Sequence, residues 1–285
     1  MRKYEKVIVI GTASPAYKLA VLLTEHINSV SFIENFVNKE FVPIIYLQNP
    51  KLEWNFFLNK EWFDILINET NKTLCISISN RFILPKKVLS NKSITCINLH
   101  SALLPKYKGR NCGSWAIYNG ERETGITWHY LTEEVDAGKI IWQDKIPILQ
   151  NETSFMLFRR LNQLGLDVFE KNIGNLLSED IEGTIQDNKE KSYFYYAKDR
   201  PNNGVLDLTW NADKIDRFLR AMDWGPLYEL GKSSVSLREK NYEILSYKIE
   251  NTETVQKEQI YFADENNLVV KKENKIFSLN TQEIK

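Results

Sequence analysis

Three cysteines and three histidines in 285 residues leave little material for metal chemistry. Cys75, Cys96 and Cys112 are odd in number and widely spaced, and His26, His100 and His129 are scattered just as far apart. Neither set shows the short spacing of a metal site, so no metal is expected. The cysteine pattern supports no disulfide framework either, and it fits a reducing compartment, here the cytoplasm. Long apolar runs are missing as well: nothing approaches the roughly 18 residues needed to span a bilayer. The basic start Met1-Arg-Lys leads into only four consecutive apolar residues, Val7-Ile-Val-Ile10, too few for a secretory signal core. An excess of charge of either sign is absent, with 37 Lys and Arg against 37 Asp and Glu. That balance removes the general attraction for polyanions that a basic chain would have. Internal repeats and low-complexity segments are not found.

What remains is a chain 43% hydrophobic, long enough to bury one large core or two moderate ones. Lys6–Ile10 reads as a first strand ending at Gly11, followed by a helix over Ala16–Ile27 with Ser14 as its cap. This opening resembles a dinucleotide-binding start, but it lacks the Gly-x-Gly-x-x-Gly spacing, which argues against an NAD-dependent dehydrogenase. Pro43–Leu47 is expected as a second strand, Trp54–Asn68 as an aromatic-rich helix, and Thr73–Ser79 as a third strand. Strands alternating with helices of this length predict an α/β fold, with a mostly parallel sheet flanked by helices. Further on, Gly113–Asn119 reads as a short helix closed by Gly120, Gly125–Leu131 and Lys139–Ile148 as strands, and Thr153 as the cap of a helix to about Ser178. A polar linker, Glu179–Lys191, follows. Beyond it Asn211 or Asp213 caps a helix through Met222. Five short strands then succeed one another: Val235–Leu237, Tyr242–Ile249, Gln259–Phe262, Leu268–Lys271 and Lys275–Leu279. Little helix and many short strands suggest a small β-rich domain, an open barrel or a sandwich. The expected domains are thus 1–192 and 193–285.

The centre of the chain is Ile94-Thr-Cys-Ile-Asn98-Leu-His100-Ser-Ala-Leu-Leu-Pro105-Lys-Tyr-Lys-Gly109, with Gly125-Ile-Thr-Trp-His-Tyr-Leu-Thr-Glu-Glu-Val-Asp136-Ala-Gly138 downstream. The apolar run Ile94–Ile97 reads as a buried strand, so Asn98 and His100, two apart, share a face where the strand gives way to a loop. Open α/β sheets place ligands at such carboxyl ends. An amide N–H can stabilise a developing oxyanion, an imidazole can move protons near neutral pH, and a carboxylate can orient that imidazole. Asn98, His100 and Asp136 therefore supply the three roles that acyl transfer requires. A thiol nucleophile is not expected, because Cys96 lies two residues deeper into the core than Asn98.

Asn98-Leu-His100, Leu103-Leu104-Pro105-Lys-Tyr107-Lys-Gly109 and Asp136-Ala-Gly138 together resemble the signature of the 10-formyltetrahydrofolate-dependent formyltransferases. The context Trp115–Tyr130 resembles the sugar and nonribosomal-peptide branches of that superfamily most, and the chain as a whole the sugar-nucleotide N-formyltransferases. One departure is visible: the family's usual Ser position, two after the His, is held by Ala102. The resemblance implies a Rossmann-like catalytic domain, a barrel-like (OB-like) C-terminal domain and formyl transfer to a primary amine, with Asn98, His100 and Asp136 as the catalytic group. It implies a folate site along Asn80, Arg81, Phe82, Ile83 and Leu84 and along Glu133, Glu134 and Val135, recognised mostly through backbone. It also implies an acceptor pocket, for which Tyr107, Arg110, Asn111, Trp115, His129 and Tyr130 are the candidates.

The favoured acceptor is a nucleotide-linked amino sugar, with a carrier-tethered aminoacyl group and methionyl-tRNA as alternatives. From Val205 to Lys285 there are 12 Lys and Arg against 14 Asp and Glu, a poor surface for gripping tRNA. A small-molecule amine is the expected partner, with no membrane and no nucleic acid, and a homodimer through the C-terminal domain. From a different class, an inactive folate- or nucleotide-binding module would keep the fold without the turnover.

Overall fold

The computed structural model describes residues 3–35, 49–57, 60–187, 193–253 and 257–284. In chain order the elements are β1 (Lys6–Gly11), α1 (Ala13–Leu23), β2 (Val30–Asn35), β3 (Leu52–Phe57), α2 (Phe63–Ile67), β4 (Thr73–Ile78), α3 (Lys86–Leu89), β5 (Ile94–His100), α4 (Cys112–Asn119), β6 (Glu123–Tyr130), β7 (Ile140–Pro147) and α5 (Ser154–Ser178). These are followed by β8 (Val205–Leu206), α6 (Ala212–Met222), β9 (Ser233–Leu237), β10 (Lys240–Asn251), β11 (Gln259–Phe262), β12 (Asn267–Lys272) and β13 (Lys275–Glu283).

The first seven strands form one sheet in the order β3-β2-β1-β4-β5-β6-β7. Strands β3 through β5 in that order run parallel, and β6 turns antiparallel to β5. β1 and β4 are near-continuous apolar runs because both faces of a central parallel strand are covered. Since β1, β4 and β5 are parallel, their last residues, Gly11, Ile78 and His100, share one edge of the sheet. Gly11 is required there, for a Cβ would lie 1.9 Å from the Ile78 carbonyl oxygen.

The structure adds an early strand that was not expected, β2 at Val30–Asn35, while the expected strand Pro43–Leu47 lies outside the described residues. The signal of β2 was masked by polar Glu34 and Asn35, both buried at the end of the strand. The expected helix Trp54–Asn68 divides into β3 and the short α2. Leu52–Phe57 prefers a ladder because the Val30–Asn35 edge is open to pair with it, and Trp54 stacks on Phe32 with ring centroids 6.5 Å apart. Tertiary pairing overrides a weak helical pattern. Downstream the boundaries differ by a residue or two, except that β13 runs four residues past the expected Leu279 to Glu283, and Thr153 does cap α5, accepting from Met156 N–H at 3.3 Å.

The chain divides into two compact units: 1–109, 125–145 and 160–194 form the first, and 110–124, 146–159 and 195–285 the second. The expected domains 1–192 and 193–285 meet this division near residue 194, with two earlier segments grouped with the later one. In the first unit Ile8, Ile10, Ile33, Trp62, Leu66 and Val88 make a continuous apolar cluster. In the second, Phe218, Leu219, Met222, Val235, Val270 and Phe277 do the same. Segment 110–124 belongs there for a visible reason. Lys214 on α6 stands 3.2 Å from the Tyr118 ring centroid and donates to the Tyr118 carbonyl, while Arg217 crosses Gly120. Asn211 caps α6 by accepting from Lys214 N–H at 2.8 Å. The C-terminal strands form a single sheet in the linear order β11-β12-β13-β10-β9-β8, and among the described residues no pairing joins its two edges. Among those residues, too, no helix is long and apolar enough to cross a membrane.

Candidate active site

β5 and β6 pair antiparallel with Asn98 opposite His129 and His100 opposite Thr127. Two residues two apart on each strand therefore face one another at the sheet's carboxyl edge. The loop leaving His100 is tied down from β6 and β7. Thr127 Oγ1 donates to the Ala102 carbonyl at 2.6 Å and accepts from Leu104 N–H at 3.0 Å. Gln143 Nε2 donates to Thr127 Oγ1 at 2.9 Å and to the Leu104 carbonyl at 2.8 Å. Ala102 is buried, so the position where a Ser would be usual contributes through its backbone. His100 Nε2 stands 2.8 Å from the Tyr107 carbonyl, which can only accept, so that nitrogen carries a proton. The other ring nitrogen, Nδ1, faces Asp136 Oδ2 at 3.5 Å.

Asp136 reaches this position from a loop folded tightly against β6. Its φ is +55°, a left-handed conformation that Asp tolerates better than most side chains. Gly138 closes the turn, because a Cβ there would lie 1.8 Å from the Tyr130 carbonyl oxygen. Asp136 Oδ2 accepts from Gly109 N–H at 2.8 Å, and Oδ1 lies 3.6 Å from His129 Nε2. A buried carboxylate thus stands between two imidazoles whose centroids are 6.3 Å apart.

The two histidines differ in state. His129 is completely buried, and its Nδ1 lies 2.9 Å from the Tyr130 carbonyl and so carries the proton. Burial, with smaller contributions of opposite sign from Asp136 and from His100 and Lys108, lowers its pKa to about 4. At neutral pH Nε2 is therefore a bare acceptor, and the close approach to Asp136 is not an ion pair. Asn98 Nδ2, 3.2 Å away, donates to it. That bond sets the orientation of the Asn98 amide and leaves its second N–H for another acceptor.

A prediction arises here. The folded-state pKa of His129 lies below the ordinary 6.5, so the fold keeps the neutral form. The stability this contributes is complete above about pH 6.5 and is lost as pH falls toward 4, a change on the order of 3 kcal/mol at full extent. His129→Gln keeps an acceptor for Asn98 without titrating. Its urea midpoint is expected to fall less than wild type between pH 6.5 and 4.5; equal declines would show that another group titrates.

The remaining sequence candidates fall in different places. Around the loop after β4, Asn80 accepts from Phe82 N–H at 3.1 Å and donates to its carbonyl at 2.9 Å. Phe82 packs edge-on against Trp62, while Ile83 is 72% exposed. The Leu84 side chain packs into the apolar core and is 6% exposed, so any part it takes in a folate site is through its backbone. Lys86 pairs with Glu133 Oε1 at 2.9 Å, tying this loop to the Glu133–Val135 loop, and exposed Glu134 lies 3.9 Å from the ammonium of buried Lys108. Arg81 is exposed. Of the acceptor candidates, the His129 ring is fully buried. Tyr107 is buried with its carbonyl turned to His100, and the Tyr130 hydroxyl donates to the Ile181 carbonyl. Arg110, Asn111 and Trp115 belong to the second unit. There Arg110 N–H donates to the Tyr195 carbonyl, Asn111 precedes α4 with φ +56°, and Trp115 stacks on Tyr195 at 4.4 Å.

Sequence reasoning missed Thr127, Gln143, Lys108 and Gln186. Thr127 could have been found, being two residues before His129 on the same strand face. The others carry no local signal, because their partners are distant in sequence.

Residues 43–173 match the family model described as formyl transferase. A GDP-perosamine N-formyltransferase of Brucella melitensis is 37% identical over 153 residues, covering 54% of this chain and 58% of that protein. A methionyl-tRNA formyltransferase of Limosilactobacillus fermentum is 34% identical over 144 residues, covering 50% of this chain and 45% of that one. The chain thus spans about half the length of these curated relatives. Among solved structures, the N-formyltransferase from Helicobacter canadensis, in complex with folinic acid and dTDP-3-aminofucose, superposes with a TM-score of 0.73. It is 20% identical, with 97% of this chain and 99% of that one covered, a likeness of fold.

Proposed function

We propose, on the match of residues 43–173 to the formyl transferase family, that the chain transfers a formyl group from 10-formyltetrahydrofolate to the primary amine of a nucleotide-linked amino sugar. The observation that carries the reading is the Asp136 carboxylate held between two imidazoles, one of which orients the Asn98 amide. The folate would supply the electrophilic formyl carbon. Asn98, through its free N–H, donates to the oxygen on which charge develops as the amine attacks. Asp136 and His100 receive the proton that the amine gives up and would return it to the folate nitrogen as the bond from that nitrogen to the formyl carbon breaks, so that tetrahydrofolate leaves. The loop residues present fit a flat heterocycle at this edge. Ile83 leaves apolar surface uncovered beside half-buried Phe82, and Lys86–Glu133 holds the Val135 loop to it.

A sugar nucleotide is favoured over tRNA by the two more acids than bases after Val205 and by the activity named for the Brucella relative. The same reading takes the chain as a homodimer through its β-rich region. Supporting it, Leu245, Ile260 and Tyr261 are exposed there; light scattering that finds a monomer at micromolar concentration would reject it. The activity is tested with 10-formyltetrahydrofolate and a panel of dTDP-, GDP- and UDP-linked amino sugars, free amino acids and charged methionyl-tRNA. Mass spectrometry is expected to show one formyl group gained on a nucleotide amino sugar. Formylated tRNA would overturn the acceptor, and folate binding without any turnover would point to the inactive module.

A further inference from the structure

The stretch Glu179–Lys191 reads from its composition as a polar linker, yet its described part is docked. Thr184 and Ile140 exchange both backbone hydrogen bonds, at 2.7 and 2.8 Å, so the segment adds an extended piece beside β7. Gly183 makes the approach possible with φ +73°. Two residues beyond Thr184, Gln186 turns inward and is 7% exposed. Its Nε2 donates to the Asp136 carbonyl at 2.9 Å and to the Gly138 carbonyl at 2.8 Å. Both amide hydrogens are used, one on each end of the turn that presents the Asp136 carboxylate.

This arrangement is specific in a way that a buried polar filler is not. Asp136 and Gly138 are buried, so their carbonyls need a donor from within the protein. A single nitrogen bonded to both carbonyls sets the distance between them, and with it the left-handed backbone at Asp136. The direction of the carboxylate follows, toward His100 Nδ1 on one side and Gly109 N–H on the other. An uncharged side chain meets the demand only as an amide: a hydroxyl has one hydrogen, and a carboxylate would set oxygen against two carbonyl oxygens.

We propose that Gln186 is a positioning residue for formyl transfer, holding the Asp136–Gly138 turn in the shape that aims the Asp136 carboxylate. The inference rests on the formyl-transfer reading above, and one of its tests needs no substrate. Gln186→Met keeps the length and removes the donor. Its kcat is expected to fall about 10- to 100-fold, the usual range for groups that orient a reacting residue, with KM for both substrates within about threefold. In the substrate-free protein, amide exchange at Gly109, whose N–H is held by Asp136, is expected to quicken about tenfold or more while the amides of β4 keep wild-type protection.

Gln186→Glu supplies the second variant, of unchanged shape. Its ionised form repels both carbonyls and its neutral form restores one bond, so its activity relative to wild type is expected to rise as pH is lowered from 8 to 6. A Gln186→Met protein with wild-type kcat and Gly109 exchange, whatever its melting temperature, would reduce Gln186 to a structural filler. A flat activity ratio for Gln186→Glu would do the same. Should the wild-type protein formylate nothing in the panel, the proposed activity fails on its own, and Gly109 exchange still decides the role of Gln186.

Discussion

His100→Ala is expected to lower kcat for formyl transfer by about 10³-fold, within the 10²–10⁴ range of a lost general acid–base group. The expectation rests on where the ring is held. Nε2 is committed to the Tyr107 carbonyl at 2.8 Å, so only Nδ1, 3.5 Å from Asp136 Oδ2, is available to share a proton with the carboxylate. Removing the ring leaves a buried carboxylate facing a cavity with one backbone N–H as its remaining close donor at 2.8 Å. KM for the folate should change no more than a few-fold, because the ring is buried with its nitrogens at the Tyr107 carbonyl and at Asp136. Truncating a buried ring also costs stability, so the variant's melting temperature and folate binding are measured beside the kinetics. A folded His100→Ala protein within tenfold of wild-type kcat would remove His100 from the proton path.

Asn98→Ala is expected to lower kcat by about 10²- to 10³-fold with KM nearly unchanged, the signature of a donor whose acceptor gains charge only in the transition state. The geometry makes this sharper than the residue type alone. The bare Nε2 of His129, 3.2 Å away, takes one hydrogen of the Asn98 amide and thereby aims the other. Asn98→Asp keeps the volume and loses the donors, so it should be at least as slow as Asn98→Ala. If either variant instead raised KM while keeping kcat, Asn98 would be a ground-state binding group. Because Asn98 and His100 act on one event, the double variant should be much less impaired than the product of the single effects.

Much of this was legible in the sequence. The central apolar runs of β1, β4 and β5 place themselves, because a strand buried on both faces has no reason to alternate polarity. The Asn98 and His100 pair follows from the two-residue period of a strand, and its place at the sheet edge follows from the loop chemistry after it. β2 and β3 were not legible. Glu34 and Asn35 end β2 as buried polar residues, and Trp54–Phe57 becomes a strand only because an unpaired edge lies beside it.

At the site, local pattern determined which residue types are available, and the tertiary structure decided what each one does. His129 sits in a strand beside Trp128 and Tyr130, where its spacing allows either a surface contact or a core position. The fold buries it, and loss of solvation makes it a neutral acceptor for Asn98. Leu84 was an apolar wall candidate by composition and is a core residue by packing. Gln186, 50 residues from Asp136, had no signal at all. A strand's period reaches a few residues and a turn's chemistry reaches four. Hydrogen bonds between segments that far apart exist only once the chain has folded, so the residues that aim the Asp136 carboxylate and the Asn98 amide were decided there.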